Sequence, residues 1–132
     1  MNPTALLHNN TDIDAQIALD KISTTSPNYA LLMTIEKNIN YLNSQKGKLK
    51  IKNLIENIKN LQTNCPNIDF YNGDITKILI KKEGLSGFEL SEKLFKMGIE
   101  DEKTNKKSTM LLCGLGTDKQ KLERLKKVLN KI

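Results

Sequence analysis

The chain has 132 residues, with 21 Lys plus Arg against 15 Asp plus Glu, one histidine, two cysteines and no tryptophan. That length accommodates one domain or a piece of a larger one, and a periodic 38% apolar content argues against a disordered chain. No apolar run approaches the ~20 residues of a membrane span, two cysteines without a CxxC exclude a disulfide framework or a zinc knuckle, and one histidine leaves little room for a His-based metal site.

The net charge of +6 invites a nucleic-acid reading. Only Arg124 among the basic residues is an arginine, however, and arginine is the residue of bidentate phosphate and guanine recognition. The lysines are scattered rather than gathered in one block. They read as solvated helix faces, so neither nucleic acid nor membrane is expected as a partner. The composition is that of an α+β chain in a reducing, cytoplasmic compartment.

A short apolar stretch, Ala5 to His8, precedes a first helix signal at Thr11, with Asp14 three residues on and Ile13, Ile17 and Leu19 as apolar points. His8 on that stretch reads as a packed side chain. Ser26 is placed to cap the next helix and Pro27 to fill its first turn. Leu32, Ile35, Ile39 and Leu42 then recur at threes and fours and predict one buried stripe up to Asn43. Gly47 is the expected break before a helix from Leu49 to Gln62, with Ile51, Leu54, Ile55, Ile58 and Leu61 inward. The two helices read as an antiparallel pair.

After Pro66 the period changes to two. Ile68 and Phe70, then Ile78 and Ile80, predict short strands around the turn Asn72-Gly73-Asp74. Ser86 and Glu89 form a capping box, Leu85 and Leu90 a hydrophobic staple, and Gly98 the stop of a helix that runs to Met97. Strands are expected at Ile99–Glu102 and Thr109–Cys113. A last helix carries Leu122, Leu125, Val128, Leu129 and Ile132, with Thr117 and Gln120 as its capping box. The order β-β-α-β-β-α predicts a small antiparallel sheet with helices on one face, preceded by the helical pair.

Chemistry-bearing motifs are sparse. Gly114-Leu115-Gly116 follows a strand and precedes a helix, but Lys119 stands where a dinucleotide fingerprint needs its third glycine. Cys65 and Cys113 have no histidine or cationic helix end in evident reach, so neither reads as a reactive thiol. Thr24, Thr25 and Ser26 place three hydroxyls before the longest helix, where capping competes with an anion contact.

Taken in order, Thr4-Ala5-Leu6-Leu7-His8, the segment Thr24 to Met33, Asp74-Ile75-Thr76-Lys77, Gly84-Leu85-Ser86-Gly87-Phe88-Glu89-Leu90, Gly98-Ile99-Glu100 and the region Thr109 to Leu129 resemble the Orn/Lys/Arg decarboxylase family. These are pyridoxal-phosphate enzymes of the aspartate-aminotransferase fold. The resemblance implies that residues 1–27 are the end of the cofactor-binding large domain and residues 28–132 the C-terminal small domain. The family's imine-forming lysine stands in a Ser-x-His-Lys segment upstream of the TALLH-like strand, and Met1-Asn2-Pro3 begins beyond that point. The chain is therefore expected to be a C-terminal fragment or a truncated member of such a lysine, ornithine or arginine decarboxylase, with no catalytic residue, inactive alone and binding no cofactor stably. By the same resemblance, Thr25 and Ser26, with Thr24, approach the pyridoxal phosphate of a neighbouring subunit, and the implied partner is a second copy or a large domain. The alternative is a non-catalytic interaction or self-association module that uses the helix from Ser26 to Asn43.

Overall fold

The structure, a computed structural model, describes residues 10–23, 26 and 28–132. The expectations for Ala5 to His8, Thr24, Thr25 and Pro27 lie outside the described residues. The chain divides into two compact units, Met1–Ser44 and Gln45–Ile132.

The first unit contains α1 (Gln16–Ile22) and α2 (Tyr29–Asn43). Thr11 does not cap α1, whose N-cap is Ala15 with no side-chain bond. Thr11 and Asp14 instead take backbone N–H groups two residues ahead, from Ile13 at 3.4 Å and Gln16 at 2.9 Å. Such local turns of short polar side chains compete with a cap over the same few residues. At α2 the cap is Asn28, not Ser26: its Oδ1 accepts the Leu31 N–H at 3.2 Å. Asparagine caps as well as serine, and it sits where the backbone turns helical. The expected buried stripe on α2 is not buried, with Leu32 at 48% exposure and Ile39 and Leu42 also exposed. Periodicity marks a face fit for burial without supplying the surface that covers it.

In the second unit, α3 (Gln45–Thr63) starts earlier than its pattern predicts. The break falls at Ser44, an extended residue whose N–H still closes on Asn40 and Tyr41, while Gly47 is helical and buried in the first turn of α3. Glycine inside a helix costs about 1 kcal/mol against alanine, which the apolar face of Leu54, Ile58 and Leu61 outweighs. Ile51 and Ile55, expected inward as well, are only half-buried and stand outside the core, because they lie to one side of that stripe.

Four strands, β1 (Asp69–Phe70), β2 (Lys77–Lys81), β3 (Lys103–Thr104) and β4 (Thr109–Leu112), form one antiparallel sheet in the order β1-β2-β4-β3. The register sets Ile78 opposite Leu111 and Ile80 opposite Thr109, which puts all four buried side chains on one face. Lys77 and Lys81 alternate outward. The third strand lies beyond the predicted Ile99–Glu102, because Ile99 packs on the core and pairing begins only where the Glu102 N–H donates to Met110.

Between β2 and β3 runs α4 (Gly87–Lys96), with both halves of the capping box made: the Glu89 N–H donates to Ser86 Oγ, and the Ser86 N–H to the Glu89 carboxylate. Gly98, at φ +74°, ends it as predicted. The last helix, α5 (Lys119–Leu129), is capped by Asp118, which accepts the Lys121 N–H at 2.9 Å. Thr117 does not take that role, because its hydroxyl accepts from the Gly114 N–H and closes the preceding turn. The molecule is thus α+β, five helices and a four-stranded antiparallel sheet among the described residues. Its core joins α3, α4 and α5 to the inner sheet face, and Ile58, Ile80 and Leu94 are wholly buried in it. Each such side chain contributes about 1.5–3 kcal/mol by leaving water.

Candidate functional site

Of the three hydroxyls singled out before α2, only Ser26 is among the described residues. It is exposed and stands two positions ahead of the Asn28 cap. The first turn of α2 carries no acidic side chain, so nothing on the helix itself opposes an anion at that end. Asn28 already takes the Leu31 N–H, and the Leu32 N–H closes on the Asn28 carbonyl at 3.1 Å. The first two helical residues, Tyr29 and Ala30, provide the N–H groups that a helix start leaves without intrahelical acceptors.

The family-like block Asp74 to Lys77 forms a local turn. Asp74 Oδ1 accepts from the Thr76 N–H at 2.9 Å and the Thr76 hydroxyl at 2.7 Å, and Lys77 lies 3.6 Å from the other oxygen. These bonds hold the Asp74 carboxyl below the usual aspartate range. Both thiols are buried. Burial pushes Cys65 up, against a lesser pull from Lys126, and pushes Cys113 up, against a hydrogen bond with Thr117. Neither is poised as a thiolate, in line with the sequence reading. The Gly114-Leu115-Gly116 turn is closed by its own bonds, Thr117 N–H to Gly114 O at 2.8 Å and Gly114 N–H to Thr117 Oγ1 at 3.1 Å. Among the described residues no group of His, Cys, Asp and Glu could hold a metal ion, and no helix is long and apolar enough to cross a membrane.

Sequence reasoning gave no role to Asp101, which the fold makes a polar centre. Its carboxylate accepts from Ser91 Oγ at 2.5 Å and from Thr104 Oγ1 at 2.7 Å, and Thr104 shares a hydroxyl hydrogen bond with the fully buried Thr109. These partners come from α4, β3 and β4, so no local pattern announces them.

Pyridoxal phosphate bound as an imine requires a lysine kept neutral by desolvation or by another cation. All the lysines of the chain lie among the described residues, and none is buried. No lysine among the described residues is thus held in a desolvated pocket.

No protein-family model matches the sequence, and no curated protein matches it at a significant level. Solved structures do match. The constitutive lysine decarboxylase of E. coli superposes with a TM-score of 0.73 at 18% identity over 92% of this chain, and the lysine decarboxylase of Francisella novicida with a TM-score of 0.75, also at 18% identity over 92%. The chain spans about a quarter of the length of these enzymes, 24% in each case. At this identity the likeness establishes the fold. The match agrees with the resemblance to the C-terminal portion of Orn/Lys/Arg decarboxylases.

Proposed function

We propose that the chain is the C-terminal portion of a pyridoxal-phosphate-dependent decarboxylase of lysine, ornithine or arginine. Residues 1–27 would then close the large cofactor-binding domain and residues 28–132 form the small domain. The observation that carries this reading is the fold likeness to two lysine decarboxylases over nine-tenths of the chain, joined to residue blocks that follow the family in order. The partner is a second copy or a cofactor-binding large domain, and the buried free thiols accord with the cytoplasm.

Within that reading Thr25 and Ser26, with Thr24, contribute hydroxyls to the cofactor phosphate of a neighbouring subunit at the start of α2. Pyridoxal phosphate supplies the electron sink that stabilises the carbanion left when CO₂ departs. These 132 residues provide neither a desolvated lysine nor a Ser-x-His-Lys segment, so they alone release no CO₂.

The test has two readouts. Purified chain with pyridoxal phosphate is assayed for CO₂ release from lysine, ornithine and arginine, and no turnover is expected; turnover overturns the inactive-alone claim. Reading the DNA 5′ of the Met1 codon is expected to show an in-frame or frameshifted Ser-x-His-Lys segment, and its absence overturns the fragment in favour of a truncated member of the family.

A second reading, a non-catalytic interaction or self-association module, draws on the exposed apolar side chains Ile13, Ile17, Ile22, Tyr29 and Met33 of the first unit. Light scattering separates the two, since a monomer across concentrations counts against self-association.

A further inference from the structure

A groove of about 300 Å³ opens beside the last helix, bounded by the α4–β3 loop, the end of β4 and the first turns of α5. Its floor is apolar, with Ile99, Leu111, Leu122 and Leu125. Two cations of α5, Lys121 and Arg124, also line it, and Glu100 is its single carboxylate.

Both cations are tethered to backbone carbonyls. Lys121 Nζ donates to Gly116 O at 2.8 Å, and Arg124 Nη2 donates to Gly98 O at 2.9 Å. The Arg124 guanidinium packs directly over the bare Cα of Gly98. A carbonyl satisfies a donor without cancelling a charge. Among the described residues neither cation is in a salt bridge. Lys121 and Arg124 are three apart on one helix, where like charges repel, and Glu100 offsets only one of them. Each head keeps unused donors, since an ammonium has three and a guanidinium five. The tethers also reduce the side-chain freedom that capturing an anion would otherwise remove.

We propose that this groove binds a small amphiphilic organic anion, a carboxylate whose head is held by Lys121 and Arg124 and whose short aliphatic body covers the apolar floor. The volume lies at the small end of small-molecule sites. The site lies wholly within residues 98–125 and is independent of the parent-enzyme reading.

Amide NMR titration of the full chain at low salt tests this, with hexanoate, acetate and 1-hexanol as probes. Hexanoate is expected to give saturable shifts at Gly98, Cys113, Thr117 and Lys121 and to bind about tenfold tighter than acetate, because its added methylenes lie on the floor. The uncharged hexanol is expected to bind more weakly than hexanoate. Lys121→Gln, at an exposed position, is expected to weaken hexanoate about fivefold while leaving the melting temperature near that of the parent chain. Absence of saturable shifts at the groove overturns the proposal. So does equal binding of hexanol and hexanoate, or unchanged affinity in Lys121→Gln.

Discussion

Asp101 shows how a carboxylate stays charged inside a small fold. Burial, the largest single influence on it, pushes its pKa up, but hydrogen bonds from Ser91, Thr104 and Thr109 together outweigh burial and hold the carboxyl below the usual aspartate range. A lowered folded value means that the unfolded chain takes up the proton first as pH falls. The stabilisation is complete above about pH 4, the ordinary aspartate value, and is lost as pH drops through the folded value. Asp101→Asn is therefore expected to lower the melting temperature at pH 7 and to flatten its fall below about pH 4, read from thermal melts across pH. An acid limb as steep as that of the parent chain would rule out this role for Asp101. Nothing local in the sequence marks Asp101, because its partners lie ten residues before it and three to eight after it, on three elements.

The element whose sequence and structure agree best is the start of α4. In the block Gly84 to Leu90, Gly84 takes φ +78°, Ser86 caps, Glu89 closes the box and Leu90 is buried. Gly87 has no room for a side chain: a Cβ there would lie 2.1 Å from Asn105 O and 2.5 Å from Ser108 O. Its N–H also donates to Lys106 O, which fastens the helix start to the β3–β4 turn. Gly87→Ala is expected to cost about 1–3 kcal/mol or more, because backbone must move. Gly73→Ala, with open space around it, is the control expected to change little, both read by urea unfolding. Phe88, at 57% exposure, is the member without a packing role. The block that carries the family resemblance is thus accounted for by folding. It speaks for the fold more directly than for the chemistry.

The two units of the molecule differ in kind. Among the described residues, every buried apolar residue of the core comes from residues 45–132, and no residue of α1 or α2 is buried. A segment holding its own core should fold without the rest. A chain of residues 45–132 is expected to unfold in one cooperative thermal transition and to give a dispersed amide spectrum. A collapsed spectrum or a non-cooperative melt would show that the core needs residues 1–44.

The sequence by itself determined the α+β class, the β-β-α-β-β-α order, Leu54, Ile58 and Leu61 as the inward residues of α3, the inward face of α5, and both ends of α4. These follow from periodicity and from caps formed within four residues, which are local physics. Tertiary structure decided the rest. It moved β3 to Lys103–Thr104 and set the Asp101 cluster among three elements. It also brought Arg124 to Gly98, so the lone arginine, first weighed only against nucleic acid, lines a groove. Several donors and acceptors compete at each of these points, and which pair forms depends on neighbours distant in the chain.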